Sequence, residues 1–433
     1  MSFRFGMIAD DLTGANDSGI QLKEKGLETS VYFEIPEPGK QLDEAIVLDT
    51  DSRARDKENA YHATKTAALF LKENGYQHIY KKMDSTLRGY IGTELMALDD
   101  VFEPTFIVVA PAYPPYGRTT KNGVHLLNGV PVSETELAND PKHPVKQAHL
   151  PTLIESETGK NTALISGLLE GTPDDWMLAL NEFKQKEIKY LISDAATIED
   201  LRHMADMIHQ FSSDVIWSGS AGLAEVLPGV LNVEKQRSDR AVHLASSAVM
   251  TVCGSLSQTT QQQVRYAAQQ EGVATIDIDT ELMFLGDWDK QAETYYEASV
   301  AAIRAGKDVV LYVPSTSEMR EKVSRRAEKL GMTPLDIGKR ISTALGALTN
   351  QIVATCPELN ALVLTGGDTA KDVAKSLGAT GFSLNHQLEA GIPLGDLIGI
   401  DRKIKVVTKA GAFGTESSIY RAMQTLKGES QHE

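Results

Sequence analysis

Ala361-Leu362-Val363-Leu364-Thr365-Gly366-Gly367-Asp368-Thr369 runs an apolar strand straight into a glycine-rich turn, with a helix-competent stretch following from about Thr369. Val406-Val407-Thr408-Lys409-Ala410-Gly411-Ala412-Phe413-Gly414 repeats the pattern, with a helix-competent stretch from about Thr415. Such a junction presents backbone N–H groups, unobstructed by side chains, at the positive end of a helix dipole. That arrangement suits an anion such as phosphate. Two such turns in one half of the chain, one carrying Asp368 and the other Lys409, point to a nucleotide phosphate site.

Strands and helices alternate along most of the sequence. Phe5–Ala9 reads as a buried strand, and the helix after it ends at Gly26. Further strands are expected at Thr29–Phe33, Ala45–Leu48, His78–Lys81, Phe106–Ala110, Ala163–Ile165, Tyr190–Ser193 and Val215–Trp217. Helices are expected between several of them, at Asn59–Asn74, Asp174–Lys186 and Ile198–Phe211. The rhythm breaks at Pro228–His243, a mostly polar stretch that reads as an exposed connection. A second series then runs through Ala248–Cys253, Ala274–Ile278, Asp308–Val313, Ala361–Leu364 and Lys405–Thr408. Continuous apolar strands with helices between them indicate parallel sheets covered on both faces. The expected fold is therefore α/β in two domains, each a mostly parallel sheet flanked by helices. The boundary falls near Arg240, giving domains 1–238 and 239–433.

Composition narrows the class. A chain of 433 residues is too long for one ordinary core, and 42% hydrophobic residues supply two. The net charge of −16, from 43 Lys+Arg against 59 Asp+Glu, disfavours nucleic acid as a partner. A small anion is still admissible where local basic residues reverse the field. The two cysteines, Cys253 and Cys356, form neither a disulfide framework nor a zinc spacing, which fits a reducing compartment. Cys253, inside a strand-like run, reads as a small buried hydrophobe. Asp10 and Asp11 arrive too early for a signal peptide, and no apolar run is long enough to span a membrane. A cytoplasmic enzyme is expected.

The first half has its own polar strand ends. Asp10-Asp11-Leu12-Thr13-Gly14-Ala15 follows the first strand and Asp49-Thr50-Asp51-Ser52-Arg53 the third. Lys82-Met83-Asp84-Ser85-Thr86-Leu87-Arg88-Gly89 follows the fourth. Ligands of open α/β sheets sit outside the carboxyl ends of strands, so these turns are expected to share a crevice. Lys82, Arg53 and Arg88 suit a carboxylate, and Asp11, Asp84 and Ser85 suit several hydroxyls. A small polyhydroxy acid fits this set. Plainer roles compete: Asp10 as a helix cap, Asp49 and Asp51 as turn residues with Arg53 an exposed partner, and Gly366-Gly367 as a tight turn only. Lys81 reads as a solvated neighbour of Lys82, since adjacent strand residues face opposite ways. His62, His78, His125 and His386 show no metal spacing and read as structural or surface residues. Neither glycine run matches the Walker or the dinucleotide-binding pattern.

These motifs, with Pro111-Ala112-Tyr113-Pro114-Pro115-Tyr116-Gly117-Arg118 and Gly254-Ser255-Leu256-Ser257, resemble those of the four-carbon acid sugar kinases, in order and over nearly the whole chain. The resemblance implies an N-terminal domain for the sugar acid, a C-terminal domain for ATP, and phosphorylation of a tetronate at its terminal hydroxyl in a cleft between the two. It implies substrate contacts at Asp11, Arg53 and the run Lys82, Met83, Asp84 and Ser85. It implies nucleotide contacts at Ser255, at Gly366, Gly367, Asp368 and Thr369, and along Gly411, Ala412, Phe413 and Gly414. Phosphoryl transfer further requires charge neutralisation and a base. Lys409 is expected at the phosphates, Asp368 at a Mg²⁺ ion through water, and Asp11, with Asp84 second, as the base. The stretch Thr119–His125 through Glu134-Thr135-Glu136 and Asp140-Pro141 looks more like threonate and erythronate members than 3-oxo-tetronate ones, so D-threonate is the favoured substrate. A sugar-acid lyase would leave the second glycine turn unexplained, and a sugar-acid and nucleotide sensor would need no base. The sequence does not set the oligomeric state; a homodimer is the commonest outcome for a soluble enzyme.

Overall fold

The computed structural model describes residues 3–140, 143–233, 246–286 and 288–428. The chain divides into two compact units, Met1–Arg237 and Ser238–Glu433. The boundary expected near Arg240 lies outside the described residues. The connection expected from Pro228 starts later than the sequence suggests, because a helix, Ala221–Val230, runs through a buried Pro228.

In the first unit the strands are β1 (Phe5–Ala9), β2 (Thr29–Tyr32), β3 (Ala45–Asp49), β4 (His78–Lys82), β5 (Phe106–Ala110), β6 (Arg118–Lys121), β7 (Val124–Leu127), β8 (Val130–Pro131), β9 (Thr162–Leu164), β10 (Tyr190–Ile192) and β11 (Val215–Gly219). The main sheet runs β2-β3-β1-β4-β11-β5-β10-β9, and its pairings are parallel. Its central strands are apolar and buried on both faces, as helices packed on each side require. Register decides where the chemistry goes. Ala9 of β1 pairs with Asp49 of β3 and with Lys82 of β4, so the residues after all three strands emerge at one sheet end. The strands β6, β7 and β8 form a separate antiparallel sheet that the sequence reading missed.

In the second unit the strands are β12 (Ala248–Cys253), β13 (Val273–Asp277), β14 (Asp308–Tyr312), β15 (Leu359–Thr365), β16 (Gly381–Glu389), β17 (Ile392–Ile398) and β18 (Lys405–Lys409). The order is β13-β14-β12-β15-β18-β17-β16. The first five in that order run parallel, while β17 is antiparallel to both β18 and β16. Thr365 pairs with Cys253 on one side and Lys409 on the other, which brings the three following turns to the same edge. Beneath them lies a core built from Val249, Cys253, Val363, Val407 and Ile419 among others. Three helices begin at a cap that the sequence encodes: Thr172, Thr197 and Thr333 each open a reciprocal capping box with an Asp three residues on.

Candidate functional site

At the carboxyl end of the first unit's sheet, Arg53 is the centre of a charge cluster. It sits on the short turn Ser52–Ala54, reached through Asp51 in the left-handed region at φ 52°. Its Nε donates to Asp10 Oδ2 at 2.8 Å, and its Nη1 and Nη2 donate to the two oxygens of Asp11 at 3.0 and 3.1 Å. Asp84 Oδ1 lies 3.8 Å from the same guanidinium. Arg88 grips Asp84 from the other side, through Nε at 2.7 Å and Nη2 at 3.2 Å, and its Nη1 lies 3.4 Å from Asp140. Burial would raise the carboxyls of Asp11 and Asp84, but the cations outweigh it. Arg53 and Lys82 hold Asp11 below the ordinary carboxylate value, and Arg53 and Arg88 hold Asp84 well below it.

The two neighbouring aspartates share out their roles differently from the expectation. Asp11, not Asp10, caps the helix Leu12–Glu24, in extended backbone with its Oδ1 accepting from Gly14 N at 3.0 Å. Asp10 is buried against Arg53, and among the described residues its Oδ1 has no hydrogen-bond partner. The reading of Lys81 as solvated is also overturned. Its side chain is 1% exposed, and Nζ pairs with Glu94 at 3.1 Å. Adjacent strand residues do face opposite ways, but β4 is covered on both faces, so the far side of the sheet is core rather than water. Glu94 in turn accepts from Ser52 Oγ, next to Arg53, so the buried pair braces the turn that presents the guanidinium.

Lys82 differs from every cation around it. It is 4% exposed, its Nζ donates to Met83 O at 2.7 Å, and among the described residues no carboxylate pairs with it. Met83, expected as a contact, turns its sulfur to Ser218 in the core, leaving its backbone as the part near Lys82. Ser85 is fixed from outside: its carbonyl accepts from His125 Nε2 at 2.9 Å, while Thr120 Oγ1 lies 2.9 Å from Nδ1. Burial pushes His125 down to about 4, so the ring is neutral, with Nε2–H as donor and Nδ1 as acceptor.

The second unit gathers its expected residues at one edge. Gly366 takes φ +92°, which a side chain would strain, and starts the helix Gly367–Ser376 directly, two residues earlier than expected. Gly366 N donates to Lys409 O at 2.9 Å. A Cβ on Gly411 would lie 2.2 Å from Ser255 Oγ, so these two loops are in contact. Ser257 and Thr260 both reach Gly411 O, at 2.5 and 2.9 Å, and Gln263 Nε2 donates to Phe413 O and Thr415 O at 3.0 and 2.7 Å. The second glycine turn does not open a helix at once: the next one starts at Ser418. Lys409 is 3% exposed, and its Nζ is held by three loop carbonyls, Ala410 O, Gly411 O and Phe413 O, at 2.8, 3.2 and 3.0 Å. Among the described residues no carboxylate pairs with it either, and burial pushes its ammonium down to about 8. Asp368 is exposed in the first turn of its helix and Thr369 is buried behind it.

A family model described as a sugar-binding N-terminal domain matches residues 5–227, and one described as a nucleotide-binding C-terminal domain matches 250–419. A D-threonate kinase of Salmonella typhimurium is 31% identical over 97% of this chain and 98% of its own length. The chain belongs to the four-carbon acid sugar kinase family. Relatives in this kinase family include a D-erythronate kinase of Heliobacterium modesticaldum, 28% identical over 95% of this chain and 94% of its own. A 3-oxo-tetronate kinase of Brucella melitensis is 26% identical over 98% and 96%. A crystal structure of a Salmonella typhimurium LT2 protein superposes with a TM-score of 0.82 at 26% identity, covering 98% of this chain and 99% of that one. The protein is thus a sugar acid kinase, a phosphotransferase acting on a hydroxyl. Among the described residues no helix is long and apolar enough to cross a membrane.

Asp10, Lys81 and His125 were given plainer roles from the sequence, and Glu94 was not singled out. The doubled aspartate was the available signal for Asp10. For His125 it was the dipeptide Asn122-Gly123 just before it, which marks a hairpin turn.

Proposed function

We propose that this kinase transfers the γ-phosphate of ATP to the terminal hydroxyl of a four-carbon sugar acid, with D-threonate the favoured substrate. The observation that carries the reading is a pair of buried ammonium groups, Lys82 and Lys409, one at a strand end in each unit, each hydrogen-bonded to backbone carbonyls and neither paired with a carboxylate among the described residues. A buried cation without a counterion is costly, and an anionic ligand removes that cost. The sugar acid's carboxylate supplies one at Lys82. Phosphate supplies the other at Lys409, whose N–H groups hold the loop, so that it acts on the ligand through its charge and through loop geometry.

Around Lys82, carboxylates kept ionised by Arg53 and Arg88 serve as hydroxyl acceptors. Asp11 keeps one acceptor site for the polyol beside its bonds to Arg53 and Gly14, and the Oδ1 of Asp10, unpartnered among the described residues, is a further acceptor beside it. In the second unit the N–H groups opening the helix Gly367–Ser376, with Ser255 and the 411–414 turn, cradle phosphate oxygens. Asp368 suits a Mg²⁺ ion, which takes one or two carboxylates besides phosphate and water; when bound, it neutralises phosphate charge.

Incubation with ATP, Mg²⁺ and a panel of D-threonate, D-erythronate and 3-oxo-tetronates tests the reading by ADP formation. D-threonate is expected to give the highest kcat/KM. Activity confined to 3-oxo-tetronates would overturn the substrate choice alone, and binding of both ligands without ADP release would overturn the kinase assignment for this chain.

A further inference from the structure

Transfer to a hydroxyl needs a carboxylate that is ionised, near the acceptor and not already saturated with donors. The expected bases, Asp11 and Asp84, are already largely taken up by donors. Asp11 takes Arg53 through both oxygens and caps a helix with one of them. Asp84 takes two bonds from the Arg88 side chain and one from Thr86. Asp17 is different: among the described residues it makes no hydrogen bond and no close ion pair. It lies on the helix Leu12–Glu24, three residues after Gly14 and so on the same face. Lys82 Nζ comes within 2.8 Å of where a Cβ on Gly14 would sit, which places the ammonium over this bare stretch with Asp17 one turn along.

The groups facing Asp17 are Lys82 from β4, Asp11 from its own helix cap, Arg118 from β6, and Tyr113 and Tyr116 from the turn before β6. Glu225, on the helix Ala221–Val230 packed against this one, faces the same two tyrosines. Asp17 is half-buried, so a ligand at Lys82 has access to it. We propose that Asp17 is the general base of the transfer, accepting the proton of the sugar acid's terminal hydroxyl. The inference rests on the kinase reading above. As the hydroxyl oxygen bonds to the γ-phosphorus, its proton passes to the Asp17 carboxylate. The bond from γ-phosphorus to the bridging oxygen breaks, ADP leaves with that electron pair, and Asp17 later returns the proton to solvent. Burial, against the pull of Lys82, pushes this carboxyl up to about 6, close to the range where a base works best near neutral pH.

The experiment compares wild type, Asp17→Asn and Asp17→Glu, following ADP with saturating ATP, Mg²⁺ and tetronate from pH 5 to 8, with calorimetric affinities for ADP and tetronate alongside. Asp17→Asn is expected to lower kcat by ~10²–10⁴-fold with both affinities near wild type, and Asp17→Glu to recover part of the loss. Wild-type kcat is expected to fall below about pH 6, and this limb to vanish in the residual activity of Asp17→Asn. A raised tetronate KM with unchanged kcat would make Asp17 a binding residue and overturn the proposal. So would a wild-type profile without the acid limb, which decides the matter even if Asp17→Asn does not fold. No ADP from wild type with any tetronate would sink the kinase reading itself, whereas normal turnover in Asp17→Asn sinks the base alone.

Discussion

At the scale of single residues, Lys82 and Arg53 are both buried cations, yet their substitution has opposite consequences. Arg53 balances Asp10, Asp11 and Asp84, so its loss leaves carboxylates facing one another. Lys82 has no such close partner among the described residues, so Lys82→Met removes a buried, unpaired charge and keeps the shape of the stem. The variant is expected to melt no lower than wild type without ligand. It should lose the upward shift in melting temperature that tetronate gives, and raise tetronate KM by ~10–10²-fold, the worth of a charge-assisted hydrogen bond of ~1.5–3 kcal/mol. Calorimetric melts with and without tetronate check both halves; a fall in the ligand-free melting temperature with KM unchanged would make Lys82 structural. The residue types at this site were legible in the sequence because they follow apolar strands. Which of Asp10 and Asp11 would cap the helix was not, since both are competent and only the extended backbone at Asp11 decides it.

At the scale of elements, the strand–turn–helix junctions were legible and the antiparallel pieces were not. The signals for β6–β8 were in fact present: Asn122-Gly123 and Asn128-Gly129 both adopt positive φ, at 50° and 73° and at 51° and 83°, as two-residue hairpin turns require. The strands between them are only two to four residues long, and no apolar run announces them. The hairpin β16–β17 was missed because its exposure pattern is irregular and its pairing shifts register at two places. The small sheet acts on the site through His125, whose Nε2–H holds the Ser85 carbonyl. Replacing His125 by Ala leaves that carbonyl without its partner, at a cost of ~1–3 kcal/mol, and is expected to raise tetronate KM while ADP affinity stays at the wild-type value. The sign of the pH effect follows from the ring being neutral in the fold. Between the unfolded value of ~6.5 and about 4, the unfolded chain binds a proton that the folded ring refuses, so this histidine costs stability as pH falls. The gap in melting temperature between wild type and His125→Ala is therefore expected to narrow from pH 7 to pH 5. A gap that widens would mean that the imidazolium is held in the fold.

At the scale of the whole molecule, charge sets a condition that neither site reveals alone. The chain carries −16, while the proposed ligands, a sugar acid and ATP, are anions. Within the first site Arg53 and Arg88 are paired with Asp10, Asp11 and Asp84, and these three carboxylates equal the number of cations even with Lys82 counted, so the cluster does little to reverse the outer field. At ~0.01 M ionic strength the Debye length is ~30 Å and the full negative charge repels an approaching anion; at ~0.15 M it is ~8 Å and only nearby groups are felt. For most anion-binding enzymes with basic clefts, salt weakens capture. Here kcat/KM for the tetronate is expected to rise between these two ionic strengths, with kcat changing little, when salt is varied with a bulky electrolyte that does not compete for Lys82. Steady-state kinetics at fixed pH and fixed free Mg²⁺ measure it. A fall in kcat/KM over this range would mean that the basic groups of the site project their field beyond the protein surface, and that the acidic exterior has no part in substrate capture.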